Sequence, residues 1–148
     1  MICLNNEKET ILLAEKLANI AKKHDCFALY GDLGVGKTAF ARGFIQSLSP
    51  EHINIASPTF PIVCPYELPN LKLWHFDLYR LKNSAQMLEL GLEEALQEGV
   101  ALIEWPENAE NYLPEDALSL YFSIGEADIR ILEIKGNAQW MERLKQIF

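Results

Sequence analysis

At 148 residues the chain is long enough for one compact domain with a real core and too short for two. Its 49% hydrophobic and 23% charged residues are those of a folded globular protein and exclude intrinsic disorder. Thirteen basic residues against 21 acidic ones leave a net charge of -8, which repels a phosphate backbone and excludes stable unaided binding to nucleic acid.

The amino-terminal stretch up to Asp25 lacks the basic start, unbroken apolar run and small-residue cleavage site of a secretory signal, and no segment reaches membrane-spanning length. A cytoplasmic protein without membrane partners is expected. From Asn6 to Lys23, Leu13, Leu17 and Ile20, with Ala14, Ala18 and Ala21, recur at three- and four-residue intervals. That spacing predicts an amphipathic helix capped by Asn5 or Asn6. "CFALY", Cys26 to Tyr30, is a short apolar run between charge and glycine, the pattern of a strand buried on both faces. Lys37 to Leu48 places Phe40, Phe44, Ile45 and Leu48 at helical spacing, and Ser49-Pro50 closes the helix.

Ile53 to Ile55, Ile62 to Cys64 and Leu71 to Tyr79 read as further strands, with prolines 58, 61, 65 and 69 confining the middle one to an edge or loop. Leu88 to Gln97 is helical in pattern, and Gly99 to Trp105 is a second short buried strand with an acid near its end. Ala117 to Ile124 and Asp128 to Ile134 alternate as an antiparallel hairpin turned at Gly125-Glu126, and a last helix runs from Ala138 to Ile147. Cys3, Cys26 and Cys64 are odd in number and far apart, without the spacing of a zinc site or a disulfide framework, so they are buried or incidental thiols.

Gly31, Gly36, Lys37 and Thr38 fit G-x-x-x-x-G-K-[ST], with a strand predicted before and a helix after. Glycines let backbone N–H groups converge on phosphate oxygens, and the following helix adds its positive end. In such a loop Lys37 reaches the β- and γ-phosphates of ATP and the Thr38 hydroxyl ligates magnesium. Hydrolysis also needs acids near the metal and a segment that responds to the γ-phosphate. Asp77 and Glu104 each sit at the end of an apolar strand, on the sheet edge that carries the phosphate loop; either could serve magnesium or orient water, and each could instead cap a turn. "SPTF", Ser57 to Phe60, lies where a threonine-bearing switch would sit, or is a simple proline turn. His75 is two residues before Asp77, but a lone strand histidine is more often packed than catalytic, and it stays outside the catalytic set. Trp105 is a candidate because it directly follows Glu104.

"YGDLGVGKTAFARGF", "SPTF", "HFDLYRL", "LELGLEEAL" and "IEWPE", in this order across the whole chain, resemble the bacterial TsaE family, also called YjeE. The resemblance implies a P-loop NTPase-like α/β fold, a mostly parallel central sheet with an antiparallel C-terminal hairpin, flanked by helices, in a single domain over residues 1–148. It implies a small ATPase that binds ATP and ADP with Mg2+ and is required for threonylcarbamoyladenosine in tRNA, acting on the TsaD and TsaB proteins. On the same grounds Gly34, Val35, Gly36, Lys37, Thr38 and Ala39 would wrap the phosphates, Thr38 and Glu104 would hold the metal, and Asp77, Lys37 and Thr59 would form the catalytic set. Thr10 and Arg130 would seat the adenosine. Three residues depart from the family pattern: Ala39 lacks a common hydroxyl, Pro61 stiffens the chain after the switch, and Cys64 stands at a position often acidic.

Rival readings are a small-molecule kinase, a GTPase and a nucleotide-dependent binding module that hydrolyses nothing. Four arginines, at positions 42, 80, 130 and 143, and no evident lid argue against the kinase. The absence of N-K-x-D and D-x-x-G argues against the GTPase. Variants of Asp77 or Glu104 separate the enzyme from the pure binder.

Overall fold

The computed structural model describes residues 1–148 apart from the side chain of Glu110. Seven strands, β1 (Ile2–Leu4), β2 (Cys26–Tyr30), β3 (Val63–Glu67), β4 (Lys72–Asp77), β5 (Val100–Glu104), β6 (Leu118–Ile124) and β7 (Arg130–Lys135), make one sheet in the order β1-β7-β6-β2-β5-β4-β3. The four central strands β6, β2, β5 and β4 run parallel, as expected of an α/β fold. The C-terminal hairpin β6–β7 is antiparallel, and so are the two outermost pairings, β1 with β7 and β3 with β4. β1 has no counterpart among the predicted elements, because three residues carry no readable alternation and their partner lies near the other end of the chain.

Five helices flank the sheet: α1 (Glu7–Ile20), α2 (Lys37–Ser47), α3 (Met87–Leu90), α4 (Leu92–Glu98) and α5 (Ala138–Leu144). Phe40, Phe44, Leu13, Leu17 and Trp140 from α1, α2 and α5 pack with Phe27, Leu29, Leu102 and Leu120 on one face. On the other, Met87, Leu92 and Ala95, with Ala109 of the 3-10 turn Pro106–Tyr112, cover Phe76, Ala101 and Ile103. Each central strand thus has apolar residues on both sides, which is why "CFALY" and "VALIE" carry no polar alternation.

Local chemistry sets the ends of these elements. Asn6 caps α1, its side chain accepting from the Glu9 amide at 2.9 Å while the Glu9 carboxylate accepts from the Asn5 amide. The helix stops at Ile20, short of the predicted Lys23, because the Lys22 amide donates to Asp25 in a turn that leads into β2. The predicted helix from Leu88 to Gln97 is two helices divided at Gly91. Ile53 to Ile55 is not a strand: the Ile53 amide donates to the Gln46 side chain, and β3 already forms that edge of the sheet. Pro65 is tolerated in β3 for that same edge position. β4 ends at Asp77, before the predicted Tyr79, because the Asp77 carboxylate accepts from the Tyr79 amide and turns the chain. Of the cysteines, Cys26 is buried and Cys3 exposed. No helix among the described residues is long and apolar enough to cross a membrane.

Arg143 of α5 ties three elements together. Its guanidinium donates to both carboxylate oxygens of Asp25, at 2.9 and 2.6 Å, and to the carbonyl of Ile20, and it lies 3.9 Å from the Trp140 ring centroid. The pair is mostly buried, so removing one partner strands the other's charge away from water. Asp25→Ala is expected to lower the unfolding free energy by about 3 kcal/mol. Urea denaturation checks this, and an unchanged midpoint at constant slope would show that the pair contributes nothing.

Candidate active site

The site forms where β2, β4 and β5 end and α2 begins. Asp77 stands opposite Glu104 in the β4–β5 register, and Leu29, two residues before Gly31, stands opposite Glu104 on the other side. Parallel neighbours therefore bring both acids and the glycine turn to one edge without any long-range adjustment. Gly31 leaves β2 with φ of 140°, and a Cβ there would lie 2.7 Å from the carbonyl oxygen of Phe122 and 2.8 Å from a Val35 methyl. Gly36 caps α2 with φ of 106°, which positions the helix start without a side chain over it. A Cβ on Gly34 would meet nothing within 4 Å, so this rim of the turn is open. The first amides of α2 have no partners within the helix and give the turn its positive end.

Beside the turn is a cavity of about 440 Å³ lined by Asn6, Thr10, Gly34, Gly36, Ala39 and Arg130, among others. Arg130 donates to the carbonyls of Gly34, at 3.2 Å, and of Asp128. Thr10 and Arg130, more than a hundred residues apart in the chain, thus share one wall with the glycine turn. Val35 is buried, and its side chain packs in the core instead of facing this cavity, so only its backbone belongs to the turn.

Lys37 is 4% exposed. Its ammonium donates to the Gly31 carbonyl and lies 3.6 Å from the centroid of the Trp105 ring. Burial pulls its pKa below the ordinary lysine value, while the nearby carboxylates of Glu104, Glu107, Asp77 and Asp32 act in the opposite direction. Trp105 itself takes a left-handed backbone, φ 56°, uncommon for a bulky residue, and rests against Tyr79 with ring centroids 4.9 Å apart.

Two short hydrogen-bond chains converge on the acids. Thr38 Oγ1 donates to Glu104 Oε1 at 3.0 Å, and His75 Nε2 donates to Glu104 Oε2 at 2.7 Å. Thr59 Oγ1 donates to Asp77 Oδ2 at 3.0 Å and receives the Ser57 hydroxyl at 2.7 Å. Lys37, Thr38, Thr59, Asp77 and Glu104, all singled out in the sequence, are therefore brought together. His75 was not, although its strand alternation already put it on the face of Asp77, and an acid ending the neighbouring strand was the signal to look for.

Thr38 and Glu104 offer hard oxygen donors side by side, the set that a magnesium ion takes, and the open glycine turn beside a buried lysine fits a chain of phosphates. Gly31→Ala is expected to destabilise the protein by more than about 2 kcal/mol, since the backbone region is strained for alanine and its Cβ would strike a β6 carbonyl. A thermal melt against the wild type is the check, and an unchanged melting temperature would refute this account of the turn.

The model of the family described as "Threonylcarbamoyl adenosine biosynthesis protein TsaE" matches residues 4–131. The tRNA threonylcarbamoyladenosine biosynthesis protein TsaE of Rickettsia felis is 41% identical over 138 residues, covering 93% of this chain and 81% of its own length. The protein of the same name from Bacillus subtilis is 40% identical over 116 residues, covering 78% of this chain and 72% of its own. The crystal structure of Bacillus subtilis YdiB superposes with a TM-score of 0.80 at 31% identity, covering 98% of this chain and 90% of that one.

Proposed function

The chain belongs to the TsaE family, and on that premise we propose that it is a magnesium-dependent ATPase whose cycle supports threonylcarbamoyladenosine formation in tRNA by acting on TsaD and TsaB. The observation that carries this reading is the meeting of Lys37, Thr38, Asp77 and Glu104 at the carboxyl ends of parallel strands, directly behind the glycine turn.

Backbone amides from Gly34 to Ala39 receive the phosphates, and Thr10 and Arg130 seat the adenosine in the adjoining cavity. Lys37 carries its charge in a largely dry setting, where it is worth more against the β- and γ-phosphates than an exposed lysine would be. Thr38 and Glu104 hold the metal, which when bound neutralises charge developing on the phosphate oxygens. Asp77 orients the attacking water, and the Thr59 hydroxyl keeps one of its oxygens in place, so that the Ser57 to Phe60 segment responds to what the acid meets. Ala39 contributes its amide only, one phosphate contact fewer than a hydroxyl residue would make.

Arg130 is engaged with backbone carbonyls, and transition-state charge then rests on Lys37 and the metal. Slow hydrolysis by the isolated protein follows, with stimulation by partners that complete the site. An acidic surface suits a protein that meets a protein complex and does not grip tRNA by itself.

Phosphate release from ATP, measured alone and with purified TsaD and TsaB, tests this. Stimulation by the partners, abolished in Lys37→Ala and lowered about 100-fold in Asp77→Asn with nucleotide binding retained, is the expected result. Rapid release indifferent to TsaD and TsaB would overturn the partner-dependent cycle. Partner function that survives Asp77→Asn would favour a binding module.

A further inference from the structure

We infer that His75 is a positioning residue for the metal site: it holds the Glu104 carboxylate in the orientation in which that group serves the ion. The inference rests on the reading of Glu104 as the metal-side acid. A carboxylate at a strand end can rotate about its last torsions, and here both oxygens are engaged, Oε1 by the Thr38 hydroxyl and Oε2 by His75 Nε2 at 2.7 Å. Thr38 is itself a proposed metal ligand. His75 alone, of the two partners, fixes Glu104 without being on the ion.

The cost of placing this ring where it is points the same way. His75 is fully buried on the α2 side of the sheet, opposite Leu102 of β5 and two residues from Leu73, both fully buried. Its other nitrogen, Nδ1, meets no hydrogen-bond partner among the described residues. A buried polar atom without a partner is unfavourable, and a leucine would pack in this layer without it. Among the described residues Glu104 is the one polar contact of the ring, so the carboxylate is what the imidazole is there to hold. Because the carboxylate accepts, the proton lies on Nε2. Outer partners of this kind fix ligand orientation, and their loss typically costs roughly 10- to 100-fold in metal affinity.

The test is the affinity for a fluorescent ADP analogue with magnesium and with a chelator, taken as a ratio in wild type, His75→Gln, His75→Asn and Glu104→Gln. Glutamine carries an amide N–H out to the position of Nε2, whereas asparagine reaches only to that of Nδ1. His75→Asn is expected to reduce the magnesium-dependent tightening about 10-fold, and His75→Gln to keep most of it, with both His75 variants binding the analogue as well as wild type in chelator. Equal ratios in wild type and His75→Asn, or equal losses in both His75 variants, overturn the positioning role while Glu104→Gln still loses its ratio. A ratio unaffected in Glu104→Gln overturns the metal reading and this inference with it. Should the His75 variants fail to fold, the imidazole nitrogen NMR spectrum of the wild type decides: an Nε2-protonated ring whose Hε2 signal moves on adding magnesium and ADP supports the role, and one that does not move refutes it.

Discussion

The site depends on one buried carboxylate. Glu104 is 2% exposed, yet it touches α2 through Thr38, β4 through His75 and, through its charge, the ammonium of Lys37. A carboxylate removed from water is tolerated only where hydrogen bonds and opposite charge replace its hydration. Those conditions are met by residues from two other segments, α2 and β4. The start of α2, the end of β5 and the middle of β4 are thereby held in a fixed relation.

Charge balance in this small volume runs against the character of the whole molecule. The chain carries a net charge of -8, and four acids surround Lys37. A single buried lysine, seated on Trp105 and the Gly31 carbonyl, is the local counterweight. Such a site has little positive charge to spare for a polyanionic ligand. In the proposed cycle that role falls to the metal, to the helix start and to whatever a partner supplies.

Much of the site was legible because its residues lie in short, ordered patterns. A glycine-rich turn between an apolar run and a helix can be read locally, since its physical requirements are backbone conformations at Gly31 and Gly36. Asp77 and Glu104 were legible as acids ending buried strands, since parallel strands share an edge. The predicted helices differ where a local feature intervenes: the Asp25 carboxylate stops α1, and the left-handed backbone of Gly91 divides the helix before β5. Ile53 to Ile55 has strand composition but no free sheet edge to join.

Local spacing was enough for most of the elements in their order, for the glycine turn and for the two strand-end acids, because each follows from composition and periodicity within about a dozen residues. Tertiary structure alone decided the rest. β1 pairs with β7 across almost the full chain, Thr10 and Arg130 meet on one cavity wall, and Arg143 closes on Asp25. It also turned His75 from a packed ring into the partner of Glu104, 29 residues away. Contacts of that separation depend on the register between strands, and the alternation along one strand gives the face of each residue but not its partner on the next strand.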